Sequence, residues 1–244
     1  MDPTDLPLDE NVQVEPGVVA RRRCFLKTAA LALGAVSLPG FAPLRLGQTA
    51  DASLPLDQFL AEVGPVAREL VKDTSRVGQD RYLLTLASYA VRLTQVRQPK
   101  FRASEQGDGV MIGSNGTSGP FTVLQWKMTP GAEIRGHAHT YGNVVTLGLA
   151  GVALVRNYEV LGEPDFDSTE SFRVRRTLSQ RLSPRATNLV SLERNYIHGF
   201  KAGPKGARGL DITTRLGEQR PTPYMELEKS SGGASDVFSA RWSE

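Results

Sequence analysis

Hydrophobic residues recur at helical spacing in two stretches on the N-terminal side of the chain, over residues 56–71 and about 79–97. Apolar positions three or four residues apart form one face of a helix. The pair Gly64-Pro65 is expected to kink or divide the first helix, because proline lacks a backbone N–H and clashes with the preceding turn. The pattern therefore predicts two helices ahead of the remainder of the chain.

Beyond a polar segment rich in Gly, Ser and Asn, over residues 104–119, the apolar positions fall in short runs separated by glycine and proline. Such runs are typical of short β-strands joined by turns, and they favour a β-sandwich or barrel over alternating βαβ units. The predicted strands cover residues 109–112, 121–128, 143–149, 152–160, 171–178, 188–192 and 208–214.

The chain contains three histidines, and two of them, His137 and His139, lie two residues apart. On a strand, such residues point to the same face with their Cα atoms about 6.5–7 Å apart, so both imidazoles can converge on one ion. His198 lies in a second β-like segment, which a barrel can bring alongside the pair. Any one of these histidines could be structural, but together they predict a metal site.

The residues around the histidines resemble the cupin superfamily. Gly131-x5-His137-x-His139-x3-Asn143 is similar to the first cupin motif, and Pro184 with His198 is similar to the second. The resemblance implies a mainly β fold, a single cupin (double-stranded β-helix) barrel preceded by the two N-terminal helices. Many cupins place a glutamate ligand where this chain has Asn143. That residue is therefore either an ordinary strand or turn residue, or a weak ligand or a group close to the metal.

Over residues 123–212 the chain is similar to the cysteamine dioxygenase and plant cysteine oxidase family. The similarity is carried by Pro130-Gly131, the His137-x-His139 pair, Asn195-x-x-His198-x-Phe200 and Leu210-Asp211. It implies that the three histidines hold Fe(II), to which a substrate thiolate and O₂ bind together to yield a sulfinic acid. Three neutral imidazoles would leave the ion its full +2 charge and open coordination positions.

Four further residues near the histidines are candidates for catalysis or binding. Tyr141 and Tyr196 could each donate a hydrogen bond to a bound oxygen species, or pack in the core or rim. By the family resemblance, Asp211 could orient a ligand or the substrate, or it could cap a turn. Arg135, two residues before His137, could hold a substrate carboxylate or lie in solvent beyond the barrel rim.

Three functional hypotheses follow from this reading. The first is a mononuclear non-haem iron dioxygenase-like cupin, with O₂ and a small molecule such as a thiol as substrates. The second is a non-catalytic metal- or ligand-binding cupin, and the third is a cupin enzyme of another reaction class that uses Mn, Ni or Zn. Because cupins often share strands between protomers, a homodimer is also possible.

The N-terminal region has the three parts of an export signal. A basic segment, Arg21-Arg22-Arg23-Cys24-Phe25-Leu26-Lys27, opens a mostly apolar run over residues 28–43, and Ala50-Asp51-Ala52 offers a cleavage site after Ala52. The apolar run is too short and interrupted to span a bilayer, so we predict release without a permanent membrane span. Arg22 and Arg23 followed by x-Phe25-Leu26-Lys27 resemble a twin-arginine (Tat) signal, which implies the Tat machinery as partner and a bacterial periplasmic or secreted location. A generic Sec signal is the alternative.

Charge and cysteine content argue against several classes of partner and reaction. The net charge is only +3 and there is no block of Lys and Arg, so nucleic acid is not a predicted partner. The single cysteine, Cys24, lies in the signal, which leaves the exported chain without a disulfide or a cysteine nucleophile. The predicted organisation is a signal peptide over residues 1–52, a helical segment over 53–98, a cupin barrel over 99–229 and a polar tail over 230–244.

Overall fold

The computed structural model of the chain describes residues 54–218, 221–228 and 236–243. The predicted signal peptide, including Arg22, Arg23, Phe25, Leu26, Lys27 and the cleavage position after Ala52, lies outside the described residues. The polar part of the predicted tail, up to residue 235, lies outside them as well. Within the described part of the chain, no helix is long and apolar enough to cross a membrane.

Both predicted helices are present. The first, α1 (Leu56–Leu70), follows a two-residue strand β1 (Leu54–Pro55) and buries one face of four apolar side chains. It continues through Pro65, so the helix is not divided there. The carbonyl that Pro65 leaves without an N–H donor belongs to Ala61, four residues earlier, and both residues are exposed, so water can satisfy it.

The second helix, α2 (Arg76–Ala90), begins at Ser75, whose hydroxyl accepts a hydrogen bond from the Gly78 N–H at 3.2 Å. It ends seven residues before the predicted end at Arg97, because the chain then forms strand β2 (Leu93–Gln95), which pairs in parallel with β1. Pairing with a distant segment thus overrides the local helical pattern at this boundary.

The rest of the described chain is mainly β, as the sequence predicts. Two strands are long: β7 joins residues predicted as two separate strands, and β10 extends the predicted final run by eleven residues towards the N-terminus. The strands are β3 (Arg102–Ala103), β4 (Val110–Ser118), β5 (Phe121–Met128), β6 (Glu133–Ala138), β7 (Gly142–Val160), β8 (Phe172–Leu182), β9 (Thr187–Val190), β10 (Ile197–Arg215), β11 (Tyr224–Leu227) and β12 (Val237–Ser243).

A barrel is closed by the two halves of the long strands. The C-terminal half of β10 pairs with β5 and with the first half of β7, whereas its N-terminal half pairs with β6 and with the second half of β7. From there β6, β11, β12, β8 and β7 pair in turn, so that six strands including β10 close on themselves. Closure removes free strand edges in this part of the fold. Strand β12 comes from the region predicted as a tail, and the sequence did not indicate it.

Three apolar clusters fill the layers of this fold. The first lies between the two helices and one face of β5, β7 and β10, and includes Phe59, Leu86 and Ile212. The second lies on the opposite face of the same strands, where Trp126 and Phe200 pack with their ring centroids 5.1 Å apart. The third fills the six-strand ring, between β6, β7 and β10 on one side and β8, β11 and β12 on the other. The histidines lie beside the second cluster.

Candidate metal centre

The structure brings the three histidines together on neighbouring strands. His137 of β6 lies directly opposite His198 of β10 in the antiparallel register, and His139 follows one residue after the end of β6. The Nε2 atom of His198 lies 2.9 Å from that of His139 and 3.1 Å from that of His137. All three potential ligand atoms lie within 4.8 Å of one another. Residues 59 positions apart in sequence thus form one compact group.

The other ring nitrogen of two histidines is held by an oxygen acceptor. His137 Nδ1 lies 3.0 Å from the carbonyl oxygen of Arg135, and His198 Nδ1 lies 3.1 Å from Oδ1 of Asn188. A carbonyl or amide oxygen can only accept, so each Nδ1 carries the proton. In a neutral imidazole this leaves Nε2 with a free lone pair. Both rings are therefore fixed in the tautomer that a metal ion requires at Nε2.

Converging lone pairs fit a cation. Burial lowers the pKa of His137 to about 4 and the pKa values of His139 and His198 well below the usual 6.5, with charge repulsion from the neighbouring imidazoles a smaller cause for the latter two. Neutral rings with lone pairs about 3 Å apart repel unless a positive ion lies between them. Two nitrogen ligands at right angles, each about 2.1 Å from a metal, would be about 3.0 Å apart. The donor set therefore suits one divalent ion.

A β-bulge shapes this group. Phe200 of β10 is opposite Ile134, and His198 is opposite His137, so three residues of β6 span two residues of β10. Ile134 and His137 consequently both face the second cluster, which period-two alternation does not allow for residues three apart. The bulge carries Arg135 to the opposite face, and the Arg135 carbonyl becomes the acceptor for His137. The Arg135 guanidinium lies 4.5 Å from the Tyr224 ring centroid.

Asn143 lies on the helix side of the sheet. It is fully buried, and its Oδ1 accepts a hydrogen bond from the Leu192 N–H at 3.2 Å, a donor that it shares with Oε1 of Gln79 in α2. Asn143 also alternates in register with Val145, which packs in the first cluster against the helices. The position that carries a glutamate ligand in many cupins therefore faces away from the histidines in this chain.

Tyr196 also points away from the histidines. Its hydroxyl accepts a hydrogen bond from the Val160 N–H at 3.1 Å, and its ring lies against Phe166 in the third cluster. It precedes β10, and Asn195 before it has a left-handed backbone with φ of 57°, so strand alternation does not extend to it. Its backbone carbonyl serves the site instead, because it accepts from the His139 N–H at 2.9 Å.

Asp211 and Tyr141 lie close enough to interact electrostatically. Asp211 accepts hydrogen bonds from Thr146 Oγ1 at 2.6 Å and from Trp126 Nε1 at 3.4 Å, while burial raises its pKa to about 6. Burial also raises the pKa of half-buried Tyr141, an effect that Arg215 opposes and the charge of Asp211 increases. Trp126 touches Phe200, whose ring centroid lies 4.7 Å from that of His198, so contacts through two aromatic rings connect Asp211 to the histidines.

Two buried amides complete the group, and sequence reasoning missed both. Asn188 donates through Nδ2 to Asn157 Oδ1 at 2.8 Å, and Asn157 donates to the Leu189 carbonyl at 3.2 Å. Asn157 follows Ala153 and Val155 at period two along β7, and an amide in such an apolar row could have marked it. Buried polar side chains of this kind require a partner, here a histidine.

None of the three histidines lines the cavity of about 350 Å³ between β6, β7, β10 and β11 or the smaller cavity between α2 and β9. His139 is partly exposed, whereas His137 and His198 are buried. Access to the group therefore runs past His139.

No protein-family model matches the sequence, and no curated protein matches it. Solved structures similar to this chain include cupin-fold proteins. The polyketide cyclase RemF from Streptomyces resistomycificus is similar over 56% of this chain and 88% of its own, with 15% identity and a TM-score of 0.39. KdgF from Halomonas sp. is similar over 48% of this chain and 86% of its own, with 17% identity and a TM-score of 0.34. For the cupin domain of Cnp3 from Schizosaccharomyces pombe the shares are 48% and 68%, with 14% identity and a TM-score of 0.35. Likenesses at this level make no case for a shared activity, so function has to be argued from the histidine group.

Proposed function

We propose that this chain is an exported mononuclear non-haem iron dioxygenase that oxidises a thiol to a sulfinic acid with O₂. The observation that carries the proposal is the convergence of three neutral imidazole Nε2 atoms in a group that, among the described residues, includes no carboxylate. The similarity of residues 123–212 to three-histidine thiol dioxygenases supports the choice of iron and of a thiol.

The charge of the ligand group favours anionic substrates. Neutral imidazoles leave the full +2 charge of a bound ion uncompensated, and a thiolate would neutralise part of it. Iron bound at the histidines would supply the redox chemistry that joins RS⁻ and O₂ to give RSO₂⁻, a reaction in which both oxygen atoms end on sulfur and no further reductant is needed. The residues of the chain hold the rings: Arg135 and Asn188 fix the tautomers of His137 and His198.

The second candidate is a non-catalytic metal-binding cupin. One observation favours it, namely that His137 and His198 are buried and His139 is only partly exposed, whereas an enzyme needs room for substrate beside the metal. An enzyme of another reaction class that uses Mn, Ni or Zn at the same three nitrogens is the third. Both predict metal binding without thiol oxidation.

The activity is tested by loading the chain with Fe(II) without oxygen and then following O₂ uptake with small thiols and peptides that begin with cysteine. We expect uptake that depends on the thiol and a product heavier by two oxygen atoms in mass spectrometry. The Zn(II)-loaded protein is the control, because zinc fills a site of this kind without redox chemistry. Iron-loaded protein that consumes no oxygen with any thiol would exclude the dioxygenase and leave the two alternatives, which metal analysis of natively purified protein separates.

Export is a separate part of the proposal and has its own test. Replacing Arg22 and Arg23 together with lysine should make the precursor accumulate inside bacterial cells, because the Tat machinery requires the arginine pair. Cells that lack the Tat translocase should show the same accumulation with the unaltered chain. Continued export in both cases would point to the Sec route. A homodimer stays a prediction that sedimentation can check.

A further inference from the structure

A cavity of about 350 Å³ opens between β6, β7, β10 and β11, and none of the three histidines lines it. Arg156 and Tyr158 line it, and they alternate along the strand with Val155 and Asn157, which face the second cluster and the histidine group. Tyr158 belongs to the third cluster. A volume of about 300–1,000 Å³ is typical of small-molecule sites. The cavity is therefore large enough for a ligand and separate from the metal centre.

Two guanidinium groups that line this cavity have few hydrogen-bond partners. The side chain of Arg156 is partly buried and makes no hydrogen bond or ion pair with any residue that the structure describes. The Arg135 guanidinium stacks on the Tyr224 ring, and its one hydrogen bond to a described residue is a long one, of 3.5 Å, to the Glu105 carbonyl. Stacking leaves the edge of a guanidinium free to donate.

The acidic residues at the cavity do not neutralise these charges. Glu133 is 3.7 Å from the ammonium of Lys201, and Glu226 is 3.0 Å from the guanidinium of Arg241. Each carboxylate thus has another cation as its nearest partner. When Lys201 and Arg241 are counted with the lining, four cations and two carboxylates lie at the cavity, which is an excess of positive charge. A planar guanidinium fork matches the two oxygens of a carboxylate.

The remaining wall is apolar. Met225 and Leu227 of β11 line the cavity together with Tyr158, and Leu227 is 41% exposed although it is a large hydrophobic residue. Gly136 and Gly199 also line it and present no side chain. A ligand with an apolar body would cover Leu227 and remove its surface from water.

We propose that this cavity binds a small organic carboxylate, with the carboxylate at Arg156 and Arg135 and an apolar body against Met225 and Leu227, independently of the metal centre. The probes are hexanoate and benzoate, compared with hexanamide and benzamide, which have the same shapes without the charge. Binding to the full chain is measured by calorimetry, and we expect heat with the two carboxylates and none with the two amides.

Variants locate the site. Arg156→Gln should weaken carboxylate binding by about tenfold or more, as expected for loss of a charge-assisted hydrogen bond. Arg156→Lys should have an affinity between those of Arg156→Gln and the unaltered chain, because lysine keeps the charge but lacks the planar guanidinium. Arg173→Gln, on the exposed face of β8, is the matched control and should bind as the unaltered chain does. His139→Ala, which damages only the metal centre, should also leave carboxylate binding unchanged.

Leu227→Glu provides a second test should Arg156→Gln fail to fold. It places a carboxylate at the edge of the cavity and should repel the probes. The proposal is overturned if the unaltered chain binds neither carboxylate, if the amides bind equally well, or if the folded Arg156 and Leu227 variants keep full affinity. Loss of carboxylate binding in His139→Ala would overturn the independence of the site and place the probes at the histidines.

Discussion

Replacement of Asn188 by alanine should weaken metal binding without touching a ligand atom. Asn188 is the acceptor that holds the proton of His198 on Nδ1 and leaves Nε2 free. Without it the ring can turn, or take the tautomer that blocks Nε2 with a proton. Loss of such an outer partner typically lowers metal affinity by about 10–100-fold.

The same substitution should also cost stability. It leaves two buried groups without a partner, the Nδ1–H of His198 and the Oδ1 of Asn157, both in fully buried residues. An unsatisfied buried polar group costs about 1–3 kcal/mol, so the metal-free Asn188→Ala protein should lose about 2–6 kcal/mol of its free energy of unfolding. Urea denaturation of the metal-free protein measures this loss.

Affinity is measured by competition of the folded protein with a chromophoric chelator for Zn(II). Asn188→Asp is the conservative variant, since a carboxylate also accepts from His198 Nδ1, and it should retain near-native affinity while losing the donor to Asn157. Asn157→Ala, which leaves the contact between His198 and Asn188 intact, should reduce stability more than affinity. The reasoning is refuted if folded Asn188→Ala binds Zn(II) as tightly as the unaltered chain, or if Asn157→Ala weakens binding just as much.

Three further outcomes are expected. His139→Ala should abolish metal retention after gel filtration, since two imidazoles hold an ion far more weakly than three; unchanged metal content would mean that the ligands lie elsewhere. Asp211→Asn should stabilise the protein by about 1–3 kcal/mol above pH 6 and by much less below pH 4. The reason is that the raised pKa of Asp211 in the folded state makes the native protein lose stability as the pH rises from 3.8 to about 6, and an amide does not ionise. Urea titrations of both proteins across this range would contradict the prediction if the difference in their unfolding free energies did not depend on pH. Ser75→Ala should cost about 1 kcal/mol of unfolding free energy by removing the acceptor for the Gly78 N–H, whereas Ser75→Asp should retain most of it.

The sequence alone determined the parts of this protein that depend on local periodicity. The spacing of apolar residues in α1 and α2 and the short extended runs after residue 104 were enough to predict two helices followed by a mainly β domain. His137 and His139 were predicted to share a site because a strand places residues two apart on one face. Their local context also selected His198 as the third member.

Only the tertiary structure decided which further side chains lie beside the three histidines. A bulge between Ile134 and His137 sends Arg135 to the opposite face from His137, and a bulge arises from pairing between two strands, which local spacing does not encode. Asn188 of β9 contacts His198, and Asn157 of β7 contacts Asn188. Strand β12 forms by pairing with β8 and β11, which are distant from it or separated from it by a loop. Periodicity fixes which face a residue takes within one element, whereas register and closure depend on contacts between segments far apart in the chain.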